Sequence, residues 1–176
     1  MFFHRTELMD AVLIELDRRE DRRGFFARTW DQQLFKEHGL VDRVVQANLS
    51  YNHTSGTLRG MHYQKAPYAE TKLVRCVRGA IFDVIIDIRP DSPTYKRWIG
   101  VELTAENRRA LYVPEGFAHG FQTLTDDCEI MYQVSQVYTP GAEGGIRYND
   151  PSFGIQWPLP VSVISEKDAA WPDFAG

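Results

Sequence analysis

RGMHYQ (residues 59–64) and PEGFAHGF (residues 114–121) are the two most informative stretches of this 176-residue chain. Both combine aromatic residues with glycine and a single histidine. In a strand that alternates strictly, Arg59 and His62 would face opposite sides. Gly60 between them permits a bulge that turns both side chains inward. We therefore expect a strand that directs both side chains into one pocket.

His62 has two interpretations. A lone histidine in a strand is often a hydrogen-bonded core residue, whereas its polar neighbours Arg59, Tyr63 and Gln64 favour a polar pocket. The chain has no glycine-rich loop of the kind that cradles phosphates and no nucleophile elbow. Because the phosphate-cradling loop is missing, a nucleotide would have to be held by side chains on strands. The only side chains that could form a metal site are His62, His119 and a carboxylate.

Length and composition indicate one globular domain over residues 1–176. The chain is 43% hydrophobic and 12% aromatic, and its length can bury about 70% of the surface that the unfolded chain exposes. The formal net charge is −4. This charge argues against a broad surface for nucleic acid or anionic membrane and leaves room for a small basic pocket that holds an anion.

Cysteine usage and the N-terminus predict a soluble cytoplasmic chain. Cys76 and Cys128 do not have the spacing of a zinc ribbon or a disulfide framework, so we expect two reduced, buried thiols. Residues 1–15 mix charged with apolar residues, unlike a signal peptide. No stretch approaches the roughly 20 apolar residues of a membrane span.

Short runs rich in Val, Ile, Tyr and Phe between turn residues predict an all-β sandwich or barrel. One helix is predicted at Trp30–Glu37, with Asp31 near its start. Residues 150–176 contain four prolines and are predicted to wrap the sandwich as irregular chain. The clearest predicted strands are Leu73–Val77, Ala80–Ile88, Ile99–Leu103, Ala110–Val113 and Ile130–Tyr138.

Two tyrosines on the last predicted strand suit an extended ligand. Period-two alternation places Tyr132 and Tyr138 on one face, about 20 Å apart at roughly 3.3 Å per residue. The alternative is that both are half-buried packing residues, which is the commoner role of a tyrosine in a strand.

Basic residues that could meet an anion are scattered. Lys72, Arg75 and Arg78 cannot all face one way in a strand, because residues 72 and 78 have even parity and residue 75 has odd parity. Some of them are therefore ordinary solvated charges. Arg23 precedes a predicted turn into a strand, where its planar guanidinium would suit a phosphate oxygen.

The two opening stretches resemble the signature strands of a cupin-type barrel. Metal-binding cupins place two histidines, separated by one residue, where this chain has His62 alone. The missing ligand points away from metal chemistry and toward acid–base chemistry.

Nearly the whole chain resembles the dTDP-4-dehydrorhamnose 3,5-epimerase family. The resemblance implies a cupin-type jelly-roll β-sandwich with a few short helices, usually a homodimer, that works without metal or organic cofactor. The matching stretches are Gly24–Phe26, Thr57–Gln64, Lys72–Arg75, Pro114–Phe121, Gly145–Pro151 and Ser165–Asp168.

The family's reaction implies roles for four residues. Its substrate is a dTDP-linked 4-keto-6-deoxyhexose, whose ketone acidifies the hydrogens at C3 and C5. His62 matches the general base, Tyr132 the acid on the opposite face, and Asp168 the carboxylate that orients the base. Lys72 lies in the family beside the reacting sugar, where it would stabilise the enolate oxygen. Without the resemblance, Asp168 would be interpreted as a terminal turn residue.

The resemblance also implies contacts with the rest of the substrate. Tyr138 would stack on thymine, His119 would touch the substrate, and Asp83 would stand behind the contacting groups. The residues assigned to diphosphate, sugar or base are Arg23, Gln46, Asn48, Arg59, Glu143 and Lys167.

Two departures concern specificity. This chain has Arg28 where the best-known members have glutamate, and Ala47 where aspartate is common. Both replacements make the site less acidic, so a substrate with a different nucleotide or a different keto sugar stays an alternative.

Several other functions also stay open. The main alternative is a 3-only or 5-only epimerase, or a ketoisomerase, on a related nucleotide sugar in secondary-metabolite or polysaccharide biosynthesis. A metal-dependent cupin oxygenase or isomerase and an inactive nucleotide-sugar binding protein are the alternatives from other classes.

Overall fold

The computed structural model describes residues 1–176 as a β-rich chain with two short helices. None of its helices is long and apolar enough to cross a membrane. In chain order the elements are β1 (Phe2–Arg5), β2 (Val12–Glu15), β3 (Arg19–Asp21), β4 (Gly24–Phe26), α1 (Gln32–Glu37), β5 (Gln46–Asn52), β6 (Thr57–Gln64), β7 (Lys72–Arg78), β8 (Ala80–Asp87), β9 (Trp98–Thr104), β10 (Ala110–Val113), β11 (Phe117–Thr123), β12 (Cys128–Val134), β13 (Glu143–Gly145), β14 (Val163–Ile164) and α2 (Glu166–Ala169).

Two sheets form the sandwich. The first sheet has the strand order β1-β2-β10-β7-β12-β5, and the second has β13-β6-β11-β8-β9, with β14 added beside β6. Between them lies an apolar cluster to which both sheets contribute, including Val74 and Ile130 from the first and Ile85 and Phe121 from the second. The predicted all-β class is confirmed. Cys76 and Cys128 are buried, unpaired thiols in the same cluster, as predicted.

The outer faces of the sheets are covered differently. Phe35 of α1 is buried against Leu73 and Tyr112 on the first sheet. On the second sheet, chain that follows β13 packs over Met61 and Val84. The strand β5 at the edge of the first sheet has no such cover, because Leu49 and Tyr51 are exposed.

The predicted strands agree with the structure except at one end. β12 stops at Val134, so the prediction of a strand reaching Tyr138 is wrong. Val134 is the last residue of β12 with partners, since Gln46 begins β5 and Lys72 begins β7. No neighbouring strand remains to pair with residues 135–138.

The helix α1 begins at Gln32, two residues after the predicted start at Trp30, because Asp31 caps it. Asp31 has extended backbone, and its side chain accepts a hydrogen bond from the Leu34 N–H at 3.1 Å, which caps α1. The C-terminal stretch is mainly irregular, as predicted, but it also contains β14 and α2. Ser165 caps α2 in the same way. That short helix carries Asp168.

β6 contains the predicted bulge. Its residues His62 and Arg59 pair with His119 and Phe121, so β6 uses one residue more than β11 over this interval. Gly60 adopts φ +137°, and a Cβ atom there would come within 2.5 Å of the Gly120 Cα. Only glycine meets both requirements at position 60.

We predict that Gly60→Ala destabilises the fold by about 3 kcal/mol, because it adds a backbone clash to an unfavourable φ. Urea unfolding at fixed protein concentration measures this. Gly39→Ala is the matched control, since Gly39 also has positive φ but has no atom within 4 Å of the added Cβ. It should cost about 1 kcal/mol. Equal losses in the two variants would contradict the steric argument.

Candidate active site

Two adjoining cavities open between the sheets and share His62, Lys72 and Tyr132. The first, of about 380 Å³, is here called the Arg59 cavity and is also lined by Arg59 and His119. The second, of about 400 Å³, is called the Tyr138 cavity. Its further polar lining residues are Gln46, Asn48, Gln64, Glu70, Tyr138 and Glu143. The three shared side chains therefore stand where the two cavities meet.

His62 and Asp168 form a close pair. The His62 Nε2 atom is 2.7 Å from Asp168 Oδ1, and the Gly60 N–H donates to Asp168 Oδ2 at 3.1 Å. Burial opposes ionisation of Asp168, but the hydrogen bond and charge of His62 and the Gly60 N–H outweigh it and lower the pKa of the carboxyl. An ionised Asp168 fixes the ring and leaves Nδ1 free to accept a proton.

Tyr132 projects from β12, in the sheet opposite His62. Burial, followed by the charge of Glu70, raises the pKa of its phenol, and Arg59 opposes this only in part. Tyr132 therefore stays protonated at neutral pH and has a proton to give. The predicted alternative, that Tyr132 only packs, does not account for its place between the cavities, although its ring does contact the apolar cluster.

Lys72 is the cation that lines both cavities together with His62 and Tyr132. Its side chain is 11% exposed and its Nζ lies 3.4 Å from Glu70 Oε1. The parity argument for β7 is confirmed in part. Arg75 faces the other way and is buried, and burial lowers its pKa to about 10. Arg78 is exposed near Glu129.

A second histidine–carboxylate pair lies in the Arg59 cavity. His119 Nε2 is 2.8 Å from Oδ1 of the fully buried Asp83. Asp83 thus stands behind His119. No group of three or more His, Cys, Asp or Glu side chains is arranged to hold a metal ion. The residues present fit a polar ligand that contacts imidazole and guanidinium groups.

The predicted nucleotide contacts are only partly together. Gln46, Asn48, Tyr138 and Glu143 line the Tyr138 cavity. Tyr138 shares it with Tyr132, although it lies on a loop rather than on β12, and its backbone N–H donates to Gln46 Oε1 at 2.8 Å. Lys167 lies at its margin, where it pairs with Glu143.

Arg23 is away from both cavities. It lies in the hairpin of β3 and β4, its side chain is 86% exposed, and it pairs with Asp21 at 2.6 Å. Arg28 bonds Asp31 at 2.7 Å, outside the cavities. Ala47 is exposed on β5. Neither Arg28 nor Ala47 lines either cavity.

Sequence reasoning missed Glu70 and Trp171. Glu70 lines the Tyr138 cavity beside Lys72, and the sequence signal was its position two residues before Lys72, on the same side of an extended chain. The Trp171 ring stands edge-on to His62 with centroids 6.4 Å apart. No sequence pattern near Trp171 predicts that contact, because it depends on how the C-terminal chain returns to β6.

Fold and site together define a cupin-type jelly-roll protein whose cavity has acid–base side chains.

Comparisons with known proteins specify this class. A family model described as dTDP-4-dehydrorhamnose 3,5-epimerase matches residues 5–176. The chain belongs to the dTDP-4-dehydrorhamnose 3,5-epimerase family, and it is an enzyme of that type. The epimerase of Shigella flexneri is 47% identical over 165 residues, which are 93% of this chain and 91% of that protein.

Solved structures agree with the fold. The dTDP-4-dehydrorhamnose 3,5-epimerase of Bacillus anthracis, with TDP and PPi bound, superposes with a TM-score of 0.95 at 42% identity, over 98% of this chain and 99% of the other. A dTDP-6-deoxy-D-glucose-3,5-epimerase of Legionella pneumophila, in complex with dTDP-4-keto-L-rhamnose, has a TM-score of 0.91 at 40% identity, over 98% and 92%. The cupin-type jelly-roll prediction is thereby confirmed.

We predict that Asp168→Asn lowers the free energy of unfolding by about 2 kcal/mol at pH 7, because a charged hydrogen bond to His62 is lost. The folded-state pKa of Asp168 is depressed, so its stabilisation is present above the unfolded pKa of about 3.9 and is lost as pH falls through the folded pKa. The gap between wild type and variant should therefore shrink below about pH 4.

Urea midpoints followed by tryptophan fluorescence at pH 7 and pH 3 test this. Asp91→Asn, at an exposed loop position, is the control and should leave the midpoint within experimental error. A gap for Asp168→Asn that is as large at pH 3 as at pH 7 would show that the carboxylate charge is not what stabilises the pair.

Proposed function

We propose that this enzyme inverts C3 and C5 of dTDP-4-dehydro-6-deoxy-D-glucose to give dTDP-4-dehydro-L-rhamnose. The observation that carries the proposal is that His62 of β6, paired with Asp168, and Tyr132 of the opposite sheet meet at the junction of two cavities. A base and an acid on opposite sides of a bound sugar are what inversion beside a ketone requires.

The reaction is balanced by two proton transfers at each centre. Nδ1 of His62 takes the proton from carbon, the C–H electron pair becomes a C=C bond, and the carbonyl pair moves onto the C4 oxygen. Lys72 stabilises that enolate oxygen. Tyr132 then gives its proton to the opposite face of the same carbon and the C=O bond reforms. His62 loses its proton to water and Tyr132 regains one, so no cofactor is consumed.

The two cavities match the two ends of the substrate. The keto sugar lies at His62, Lys72 and Tyr132 and extends into the Arg59 cavity, where Arg59 and His119 contact it, and the diphosphate runs from the sugar toward Tyr138. Tyr138, 57% exposed, is free to stack on the base, and Gln46, Asn48, Glu143 and Lys167 contact the remaining polar groups. An arginine fork donates two parallel hydrogen bonds, which suits Arg59 to oxygens of the sugar and of the phosphate attached to it.

We expect His62→Ala to slow epimerisation about a thousandfold, as the loss of a general base does. Tyr132→Phe should behave differently. It retains the base, so deuterium from solvent should still enter C3 or C5 with retained configuration, while formation of the L-sugar is lost.

Proton NMR of the substrate in deuterated water reads both results. His53→Ala is the control for histidine loss, since His53 lies outside both cavities, and it should exchange like wild type. Exchange at one carbon alone would identify a monoepimerase, and no exchange by wild type would refute the proposal.

The homodimer is part of the same proposal. Val45, Leu49 and Tyr51 of the edge region around β5 are exposed, with Leu49 at 63%. Leu49 and Tyr51 also border the Arg59 cavity, so a second copy docked there would close it. The exposed hairpin with Phe26, 66% exposed, and Arg23 has the form of an arm that reaches a partner. Such a contact would bring Arg23 of one copy to the diphosphate bound in the cavities of the other copy.

We expect Leu49→Asp to convert a dimer into a monomer, because it places charge in the buried part of the interface. Sedimentation velocity at micromolar concentration measures this. Val163→Asp is the control, since Val163 is similarly exposed, at 49%, on the second sheet. A monomeric wild-type protein would refute the dimer.

We also propose that the enzyme is cytoplasmic, which the free thiols Cys76 and Cys128 support.

A further inference from the structure

Glu70 is an acidic group in a cavity that is built to bind an anion. It lies just before β7, its side chain is 12% exposed, and it lines the Tyr138 cavity. A buried carboxylate here repels a nucleoside diphosphate and is costly to desolvate. The negative charge of Glu70 therefore needs a hydrogen-bond donor and a positive charge within the cavity, and its contacts supply both.

Gln64 holds Glu70 in place. The Gln64 Nε2 atom donates to Glu70 Oε2 at 3.3 Å and to the Tyr68 carbonyl at 3.0 Å. Its Oε1 accepts from the Thr139 N–H at 2.8 Å. One buried amide on β6 thus joins the loop that carries Glu70 to the loop that carries Tyr138. Glu70 is therefore fixed on the wall of the cavity and is not a mobile surface acid.

Glu70 contacts Lys72 on its other side. Glu70 Oε1 is 3.4 Å from Lys72 Nζ, and both side chains are about nine-tenths buried. In so little solvent the pair is screened weakly, so the carboxylate restrains the position of the ammonium group and balances its charge. The same negative charge acts on Tyr132, where it opposes formation of the tyrosinate.

We propose that Glu70 is a positioning residue for epimerisation: anchored by Gln64, it holds Lys72 at the enolate oxygen and places a fixed negative charge beside Tyr132. This inference rests on the proposed function, since it assigns Lys72 and Tyr132 the roles given above. It adds a fixed negative charge, outside the reacting groups, that prepares both of them.

Other charged groups also face Tyr132. Tyr138 carries a second phenol at the outer end of the cavity. The charge of Arg59 favours the tyrosinate, whereas the charge of Glu70 opposes it. The charged or titratable groups that line the two cavities around Tyr132, apart from Tyr138, are Tyr51, Arg59, His62, Tyr63, Glu70, Lys72, His119 and Glu143. Of the acids among them, Glu70 is the one whose charge raises the pKa of Tyr132.

Glu70→Gln tests the proposal because it removes the charge and retains a group that can accept from Gln64. We expect kcat to fall about tenfold, less than the loss of a group that contacts the reacting atoms directly. The alkaline limb of the kcat profile should move to lower pH, because Tyr132 ionises more readily without the carboxylate. KM should stay level or fall, since a negative charge has left an anion-binding cavity.

Two further variants test whether the charge at position 70 causes these effects. Glu70→Asp retains the charge and should restore the alkaline limb to its wild-type pH, with kcat only partly recovered because the carboxylate is one methylene farther from Lys72. Glu106→Gln makes the same change in net charge at an exposed loop position and should alter neither kcat nor the profile. A raised KM with an unmoved pH profile in Glu70→Gln would mean a merely structural role and overturn the proposal.

A measurement without turnover separates this inference from the proposed function. With ¹³Cζ-labelled tyrosine, NMR follows the Tyr132 titration directly, and Tyr132→Phe assigns the signal. We expect Tyr132 to titrate at lower pH in Glu70→Gln than in wild type. If wild type exchanges deuterium but this titration and kcat are unchanged in the variant, Glu70 has no such role. If wild type exchanges nothing, the proposed function fails, and with it the role of Glu70 in epimerisation, while the titration still reports its electrostatic effect on Tyr132.

Discussion

The site depends on the two hydrogen bonds accepted by the Asp168 carboxylate. One comes from the His62 ring and the other from the backbone N–H of Gly60. The bulge at Gly60 brings His62 and Arg59 to the same cavity, but it also leaves an N–H that the β6–β11 ladder does not use. Asp168 satisfies that N–H and orients the imidazole with a single carboxylate. The bulge of β6 and the orientation of the His62 ring are thus stabilised by the same group.

The position of Asp168 depends in turn on a short segment of the C-terminal chain. β14 pairs in parallel with the start of β6, and α2 begins directly after it, capped by Ser165. Four helical residues are too few to be stable in isolation. Their stability comes from the packing against β6 and from the buried carboxylate itself. Removing the charge on Asp168 would therefore affect both the fold of this segment and the chemistry at His62.

Charge in the cleft is balanced over short distances. Arg59 and Lys72 are the positive side chains that line the cavities, while Glu70 and Glu143 are each paired with a lysine. The net charge of the chain, −4, gives no indication of this arrangement. Arg28 is bonded to Asp31 and lines neither cavity. The family membership of the chain rests on residues 5–176, whereas this balance of charge rests on a few side chains.

The strands were predictable from sequence because they depend on local alternation and turn residues. Ala110–Val113 has the predicted bounds, and Gly60 indicated where a bulge is permitted, which is where the structure has one. The end of β12 did not follow, because it is set by where β5 and β7 run out of residues to pair. A single strand contains no record of the length of its neighbours.

For the site, the sequence by itself determined the residue types: one histidine in each signature stretch, a strand tyrosine, and basic residues near them. The family resemblance then singled out Asp168. Only the tertiary structure decided which groups meet. It placed Asp168 against His62 across more than a hundred residues of chain, Asp83 behind His119, and Glu70 beside Lys72 and Tyr132, while Arg23 lies outside. These relations depend on how two sheets face each other and where the C-terminal chain returns, and local pattern does not contain that information.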